Sequence, residues 1–285
     1  MNAVKIHPEL WIVFVLLFFI FLSLITFITS IRPPRIMSEI YPGVLGLKHE
    51  NVTFMTKNQL TLRGWFIPGK SENQKTIILL HGYPADKGNI LPALSFLNPE
   101  FNLLLFDFRY FGESEGNIST AGAKETEDLL AAIRFLKTRG INEVGVWGFS
   151  MGGAVALMTA QRAPEIKAIV SESSYAQLDL MLAELFRVPL IKNVLALLIR
   201  LWSNILLGID PKNVSPAESV RNLNLPILIV HSKNDHVIPF KHGLILKEAL
   251  QDNPQSEFWF ETHLSHGELG EDYQNRIRNF FVKHL

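Results

Sequence analysis

The feature that most restricts what this chain can fold into is residues 10–31, LWIVFVLLFFIFLSLITFITSI, a run without a charge whose only polar members are Ser and Thr. As a helix rising 1.5 Å per residue, about 20 such residues cross the hydrocarbon core of a bilayer. Trp11 lies near one edge, where an indole favours the interface. A cleaved signal peptide would have an apolar core of about 7–15 residues and a small-x-small cleavage site. This run is longer, and TSIRPPR follows it with no such site. A helix buried in a soluble core is a poor fit for so long an unbroken apolar run. The expectation is a retained single-pass anchor, left through Arg32, Pro33, Pro34 and Arg35, where proline stops the helix and arginine reaches the headgroups. Lys5 precedes the run and Arg32, Arg35 and Lys48 follow it, a near balance that leaves the side of the membrane open.

Beyond the anchor about 250 residues remain, room for a single α/β domain. With 48% hydrophobic and 19% charged residues, the chain can build a large core. Lys+Arg and Asp+Glu stand at 27 each, so there is no electrostatic footprint for nucleic acid. Cysteine is absent, which excludes disulfides, thiolate metal sites and a Cys nucleophile. The chain contains no G-x-x-x-x-G-K-[ST], no H-E-x-x-H and no G-x-G-x-x-G. Neither a cofactor nor a metal is expected.

After a linker over residues 32–51, short apolar runs alternate with helical patterns. Residues 52–55 and 60–67 read as an antiparallel opening pair around TKNQ. Runs at 76–80, 102–106, 143–147, 166–171, 226–231 and 257–262 suit a parallel sheet buried on both faces. Helical candidates fall at 121–139, 151–162, 241–250 and 269–284. This alternation predicts an α/β, mostly parallel, doubly wound sheet over residues 52–285, preceded by the transmembrane helix. One connection is too long: about 55 residues separate Ser171 from Pro226. Within it Leu178, Met181, Leu182, Leu185 and Phe186 keep helical spacing, and residues 190–207 are apolar but interrupted by Lys192, Asn193, Arg200, Ser203 and Asn204. These charges argue against a second span and predict a helical cap over about 176–222.

Open α/β sheets place ligands at the carboxyl ends of their strands. VWGFSMGGA sets Ser150 between Gly148 and Gly152 at a strand–turn–helix junction. Glycines there would relieve a strained turn, and the following helix would point its N-terminus at the serine. By itself the stretch also fits a tight packing turn. HGYPADKGN follows another strand and would supply the backbone N–H of Tyr83 to pair with that of Met151 around an oxyanion, or be a plain surface loop. HSKNDHVIPF places Asp235 to orient an imidazole, or to serve as a turn aspartate. ETHLSHGELG offers His266 in the loop before the last helix. Its competitor His263, at the strand end, reads as partly buried or supporting. Ser150, Asp235 and His266 thus follow three different strands in the order nucleophile, acid, base.

In these stretches the sequence resembles the α/β-hydrolase superfamily, and within it the membrane-anchored bacterial-type serine hydrolases that are esterase-like or lysophospholipase-like. The matching residues are His81-Gly82-Tyr83, Asp107-Phe108-Arg109, Gly112-Glu113-Ser114, Gly148-Phe149-Ser150-Met151-Gly152-Gly153, Asp235 and His266-Gly267. Tyr110 stands where that pattern has its first glycine. The resemblance implies a Ser150–His266–Asp235 triad cleaving carboxylic esters through an acyl-enzyme, with Tyr83 and Met151 as oxyanion donors and Gly148 and Gly152 at the nucleophile elbow. A lipid, a lysophospholipid or an acyl thioester would suit a protein beside a bilayer. A peptidase or amidase of the same fold and a non-catalytic membrane-tethered binding module are the alternatives. The expected partners are a small-molecule ester or lipid and the membrane itself. The oligomeric state stays open.

Overall fold

The computed structural model describes residues 8–70, 75–184 and 192–285. Helix α1 (Pro8–Ile31) leads through a short 3-10 turn (Pro42–Leu45) to β1 (Glu50–Met55), β2 (Thr61–Ile67), β3 (Thr76–Leu80), α2 (Lys87–Leu94), β4 (Asn102–Phe106), α3 (Glu125–Thr138) and β5 (Val144–Phe149). Then come α4 (Met151–Thr159), β6 (Ile166–Glu172), α5 (Leu178–Glu184), α6 (Lys192–Trp202), α7 (Pro216–Val220), β7 (Ile227–Ser232), α8 (Lys241–Ala249), β8 (Ser256–Glu261) and α9 (Tyr273–His284). The strands form one eight-stranded sheet in the order β1-β2-β4-β3-β5-β6-β7-β8. β2 pairs antiparallel with β1 and β4, and every other pairing is parallel. The expected mostly parallel, doubly wound α/β sheet is therefore present.

Alternation along the strands sends side chains to opposite layers. Ile78, Leu80, Val146, Ile169 and Ile229 join a core completed by Leu129, Ile133 and Leu136 of α3, Val155 of α4 and Leu246 of α8. Ile77, Leu79, Trp147, Val170 and Leu228 face the other layer, where Leu91 and Leu94 of α2 and Ile277, Phe280 and Phe281 of α9 cover them. Burial on both faces explains why these strands read as continuous apolar runs.

Two helix starts and one whole helix are among the differences from the sequence reading. Helix α3 begins at Glu125 rather than at residue 121, because Ala121 and Gly122 hold positive φ. The Glu125 carboxylate accepts the N–H groups of Thr120 and Gly122 there. Helix α9 begins at Tyr273 rather than at residue 269. Helix α2 was not anticipated at all: Pro92 sits inside it, and Asp86 caps it through a reciprocal box with Asn89.

The connection from β6 to β7 is helical, as expected of a cap. Leu178 and Met181 are buried against Tyr175, Val214 and Ile238. Leu185, Phe186 and Leu190 lie outside the described residues. After α6 a π-helical turn (Ser203–Leu207) bends the chain, and Arg200 closes the bend with two hydrogen bonds to Asp210, at 2.9 and 3.0 Å.

Helix α1 is long and apolar enough to cross a membrane. Its first turns are exposed on all sides, whereas Ser23 and Phe27 are buried in a seam with α6. The Trp202 indole N–H donates to Ser23 Oγ at 2.9 Å. Beyond the helix, Arg35 donates to the carbonyls of Gly112, Ser114 and Gly116, and its guanidinium lies 5.0 Å from the Tyr110 ring centre. The Tyr110 hydroxyl donates to the Pro33 carbonyl. Tyr110 itself sits at φ 73, the left-handed conformation that a glycine would take without strain.

Candidate active site

Ser150 occupies the turn between β5 and α4 with φ 53 and ψ −115. A non-glycine residue there is strained by about 1–3 kcal/mol and needs its surroundings to hold it. The Ser150 N–H donates to the Glu172 carbonyl at 2.8 Å, and the Ser150 carbonyl accepts from Ala154. A Cβ on Gly148 would overlap the carbonyl group of Gly152. A Cβ on Gly152 would lie 2.5 Å from the Leu80 oxygen and 2.7 Å from the His81 oxygen. Both glycines are required for close backbone approach, as the sequence suggested. The Ser150 side chain does not cap α4, so the first amides of that helix, Met151 N–H included, keep no intrahelical acceptor.

The strand β3 loop is fixed from behind by His81, which is fully buried. Its Nδ1–H donates to the Gly82 carbonyl at 2.7 Å, and its Nε2 accepts from the Phe108 N–H at 3.0 Å. Burial lowers its pKa, and this pattern requires the neutral ring. Gly82 lies under Phe149 and Ser150: a Cβ on it would come within 3.0 Å of the Phe149 ring and 3.3 Å of Ser150 Cβ. Tyr83 follows, and its hydroxyl donates to the Ser30 carbonyl of α1 at 2.7 Å.

Asp235 and His266 are brought together directly, with His266 Nδ1 donating to Asp235 Oδ2 at 2.7 Å. Asp235 Oδ1 accepts the N–H groups of Val237 and Ile238 at 2.9 and 2.8 Å. Burial pushes the Asp235 carboxyl up, but the His266 hydrogen bond, its charge and the two backbone donors outweigh it and hold the pKa below the usual carboxylate range. The imidazole of His266 packs on the Phe149 ring, centres 4.7 Å apart, which sets it one residue along the chain from the serine. Among the described residues Ser150 Oγ makes no hydrogen bond with His266. Catalytic contacts are often long before substrate binds. His263, expected to be partly buried or supporting, is instead exposed.

Sequence reasoning missed two supports. His231, at the end of β7, donates from Nε2 to the Ile238 carbonyl at 2.8 Å and so braces the Asp235 loop. Burial keeps its pKa low. Glu172, at the end of β6, is buried and accepts the Tyr273 hydroxyl, which in turn accepts the Trp147 indole N–H at 3.0 Å. Burial pushes Glu172 up to about 7, against those hydrogen bonds. A carboxylate closing the strand, just past the apolar run Ala168-Ile169-Val170, was the available signal for Glu172.

Ser150 and Met151 line a cavity of about 390 Å³ whose other walls are Tyr83, Tyr175, Leu178, Met181, Ile238 and Ser30 of α1. A larger cavity of about 510 Å³, between the linker and β1–β2, is lined by Lys87, Asp86 and Trp65 and touches none of Ser150, Asp235 and His266. No cluster of metal-binding side chains occurs among the described residues.

Comparison with known proteins bears on the fold. The family model for the alpha/beta hydrolase fold matches residues 75–195. The uncharacterized protein YfhR of Escherichia coli O157:H7 is 30% identical over 251 residues, 83% of this chain and 81% of the relative. Its counterpart in strain K12 is 31% identical, over 68% of this chain and 66% of the relative. The thiohydrolase aneE of Aspergillus aculeatus is 31% identical over 53% of this chain and 48% of the relative. Among solved structures, the Pyrococcus furiosus esterase Pf2001 superposes with a TM-score of 0.75 and 26% identity, covering 90% of this chain and 98% of that one. Sheet order, strained serine turn and these relatives agree: the chain belongs to the α/β-hydrolase superfamily of hydrolases.

Proposed function

We propose that the protein is a serine hydrolase of carboxylic esters, with Ser150 as nucleophile, His266 as general base and Asp235 as the group that orients it. The observation that carries this is the 2.7 Å hydrogen bond from His266 to a fully buried Asp235 carboxylate, with the imidazole packed on Phe149, the neighbour in sequence of a serine strained at φ 53. Ser150 Oγ attacks the ester carbonyl carbon, and its proton passes to His266 Nε2. Asp235 accepts the Nδ1–H throughout, which fixes the tautomer and stabilises the imidazolium. The backbone N–H groups of Tyr83 and Met151 receive the oxyanion, and the N-terminus of α4 adds a favourable field. The C–O bond to the leaving alcohol breaks as His266 returns the proton to it. Water, deprotonated by the same imidazole, then cleaves the acyl-enzyme. The thiohydrolase relative supports acyl thioesters as a second class of acyl donor for the same steps.

The test is labelling of the full-length chain in detergent by a fluorophosphonate probe, together with turnover of p-nitrophenyl esters. Ser150→Ala should lose the label and at least about a thousandfold in turnover. Labelling that survives Ser150→Ala places the nucleophile elsewhere.

A further inference from the structure

Helix α1 does more than tether. Glu9 closes its polar side, so its hydrocarbon stretch begins at Leu10. From Leu10 to Leu22, before the buried Ser23, 13 residues cover about 20 Å at 1.5 Å per residue. A bilayer core is about 30 Å thick. To span it, α1 must also carry roughly the next seven residues, to about Thr29, through lipid. That is the stretch sided by α6: Trp202 holds Ser23, and Phe27, 4% exposed, sits with Ile199, Ser203 and Leu207. The cap helix α6 therefore lies at the depth of the bilayer.

Its composition fits that place. One face of α6, with Leu195 and Ile199, is buried against the protein. The opposite face presents Val194, Leu197 and Leu201, continued by Ile205 on the π turn, with Leu197 and Ile205 exposed by 63% and 62%. Asn193 and Asn204 flank this face and Arg200 turns to Asp210, but the exposed aliphatic stripe between them is larger than water favours and suits contact with lipid. This surface is continuous with α1, whose own surroundings as a span are acyl chains. The cavity that holds Ser150 is walled by Ser30, one residue before α1 ends, and by Leu178, Met181 and Leu182 of the cap.

We infer that α6 is embedded in one leaflet beside α1, and that the Ser150 cavity opens there and takes a membrane-resident single-chain acyl ester directly from that leaflet. This rests on α1 spanning a membrane and on Ser150 being the nucleophile.

The experiment uses the full-length chain in phosphatidylcholine vesicles. The chain has no cysteine, so single-cysteine variants carry one nitroxide each. Labels on Leu201→Cys and Ile205→Cys should collide with dissolved oxygen and be shielded from a water-soluble nickel chelate. A label on Val282→Cys, exposed on α9, should do the reverse. In parallel, the double variant Leu197→Glu, Leu201→Glu should lose at least about tenfold in hydrolysis of monoolein held in the vesicles, as carboxylates at lipid depth predict. Its hydrolysis of p-nitrophenyl acetate should stay at the wild-type rate. Water-exposed labels on α6, dipolar coupling between labels of two copies, or equal loss on both esters would each overturn the inference. A wild type that cleaves neither ester would sink the serine-hydrolase reading instead, while the labels still decide whether α6 lies in lipid.

Discussion

Ser150 and Ser30 line one cavity, and different physics holds each there. On the Ser150 side, position is set by backbone contact. Two glycines admit the chain where any Cβ would clash, His81 and His231 brace the loops, and Asp235 uses both oxygens. On the Ser30 side, a helix leans on the cap through apolar surface, with the Trp202–Ser23 and Tyr83–Ser30 hydrogen bonds as its polar pins. The first arrangement tolerates little displacement, as bond-making chemistry requires. The second rests on apolar contact and two hydrogen bonds and leaves more room for adjustment.

That contrast can be broken by substitution. The largest effect belongs to Asp235→Asn, which keeps the shape and loses the imidazole tautomer: kcat on a p-nitrophenyl ester should fall about 10⁴-fold, with the chain still folded by circular dichroism. Glu172 gives the next effect, on stability rather than rate. Its folded pKa, about 7, lies above the usual 4.5, so the native state holds the proton more tightly. The stability this contributes is complete below pH 4.5 and is lost as pH rises through about 7, at about 1 kcal/mol per pH unit. Urea unfolding of Glu172→Gln between pH 5 and 8 should lack that slope, and an unchanged slope would remove Glu172 as its source. Gly152→Ala should destabilise by about 1–3 kcal/mol, because the neighbours it meets are backbone oxygens of β3 that cannot move aside. Calorimetry in detergent would show it. The smallest change is expected on the α1 side: Tyr83→Phe removes one hydrogen bond to Ser30, about 1 kcal/mol in thermal stability. A loss as large as that of Gly152→Ala would mean that α1 is held as tightly as the Ser150 turn.

How legible each part was follows the same division. The turn at Ser150 could be read because steric needs are local: a serine flanked by glycines after an apolar strand leaves few other conformations. Asp235 and His266 were reachable because each follows a strand, and the open sheet brings strand ends to one edge. Helix α2 escaped because Gly88 and Pro92 mimic loop composition, although Asp86 and Asn89 spelled out its cap. The seam between α1 and α6 escaped for another reason. Ser23 and Trp202 stand 179 positions apart, and no periodicity within either helix names the other. The exposure of α6 was equally hidden, since its pattern alone fits a helix packed on both sides.

Tyr110 has a practical consequence for where α1 stops and the α/β domain starts. Its hydroxyl needs the Pro33 carbonyl, and the 112–116 loop beside it has three carbonyls satisfied by Arg35. A shortened chain that begins at Arg32 keeps every one of these bonds. One that begins at Ile36 strips them and leaves the left-handed Tyr110 held by its N–H bond to the Glu115 carbonyl and its contact with the Phe111 ring. A cut that preserves this loop therefore falls before Pro33, and Arg35 belongs with the α/β domain rather than with α1.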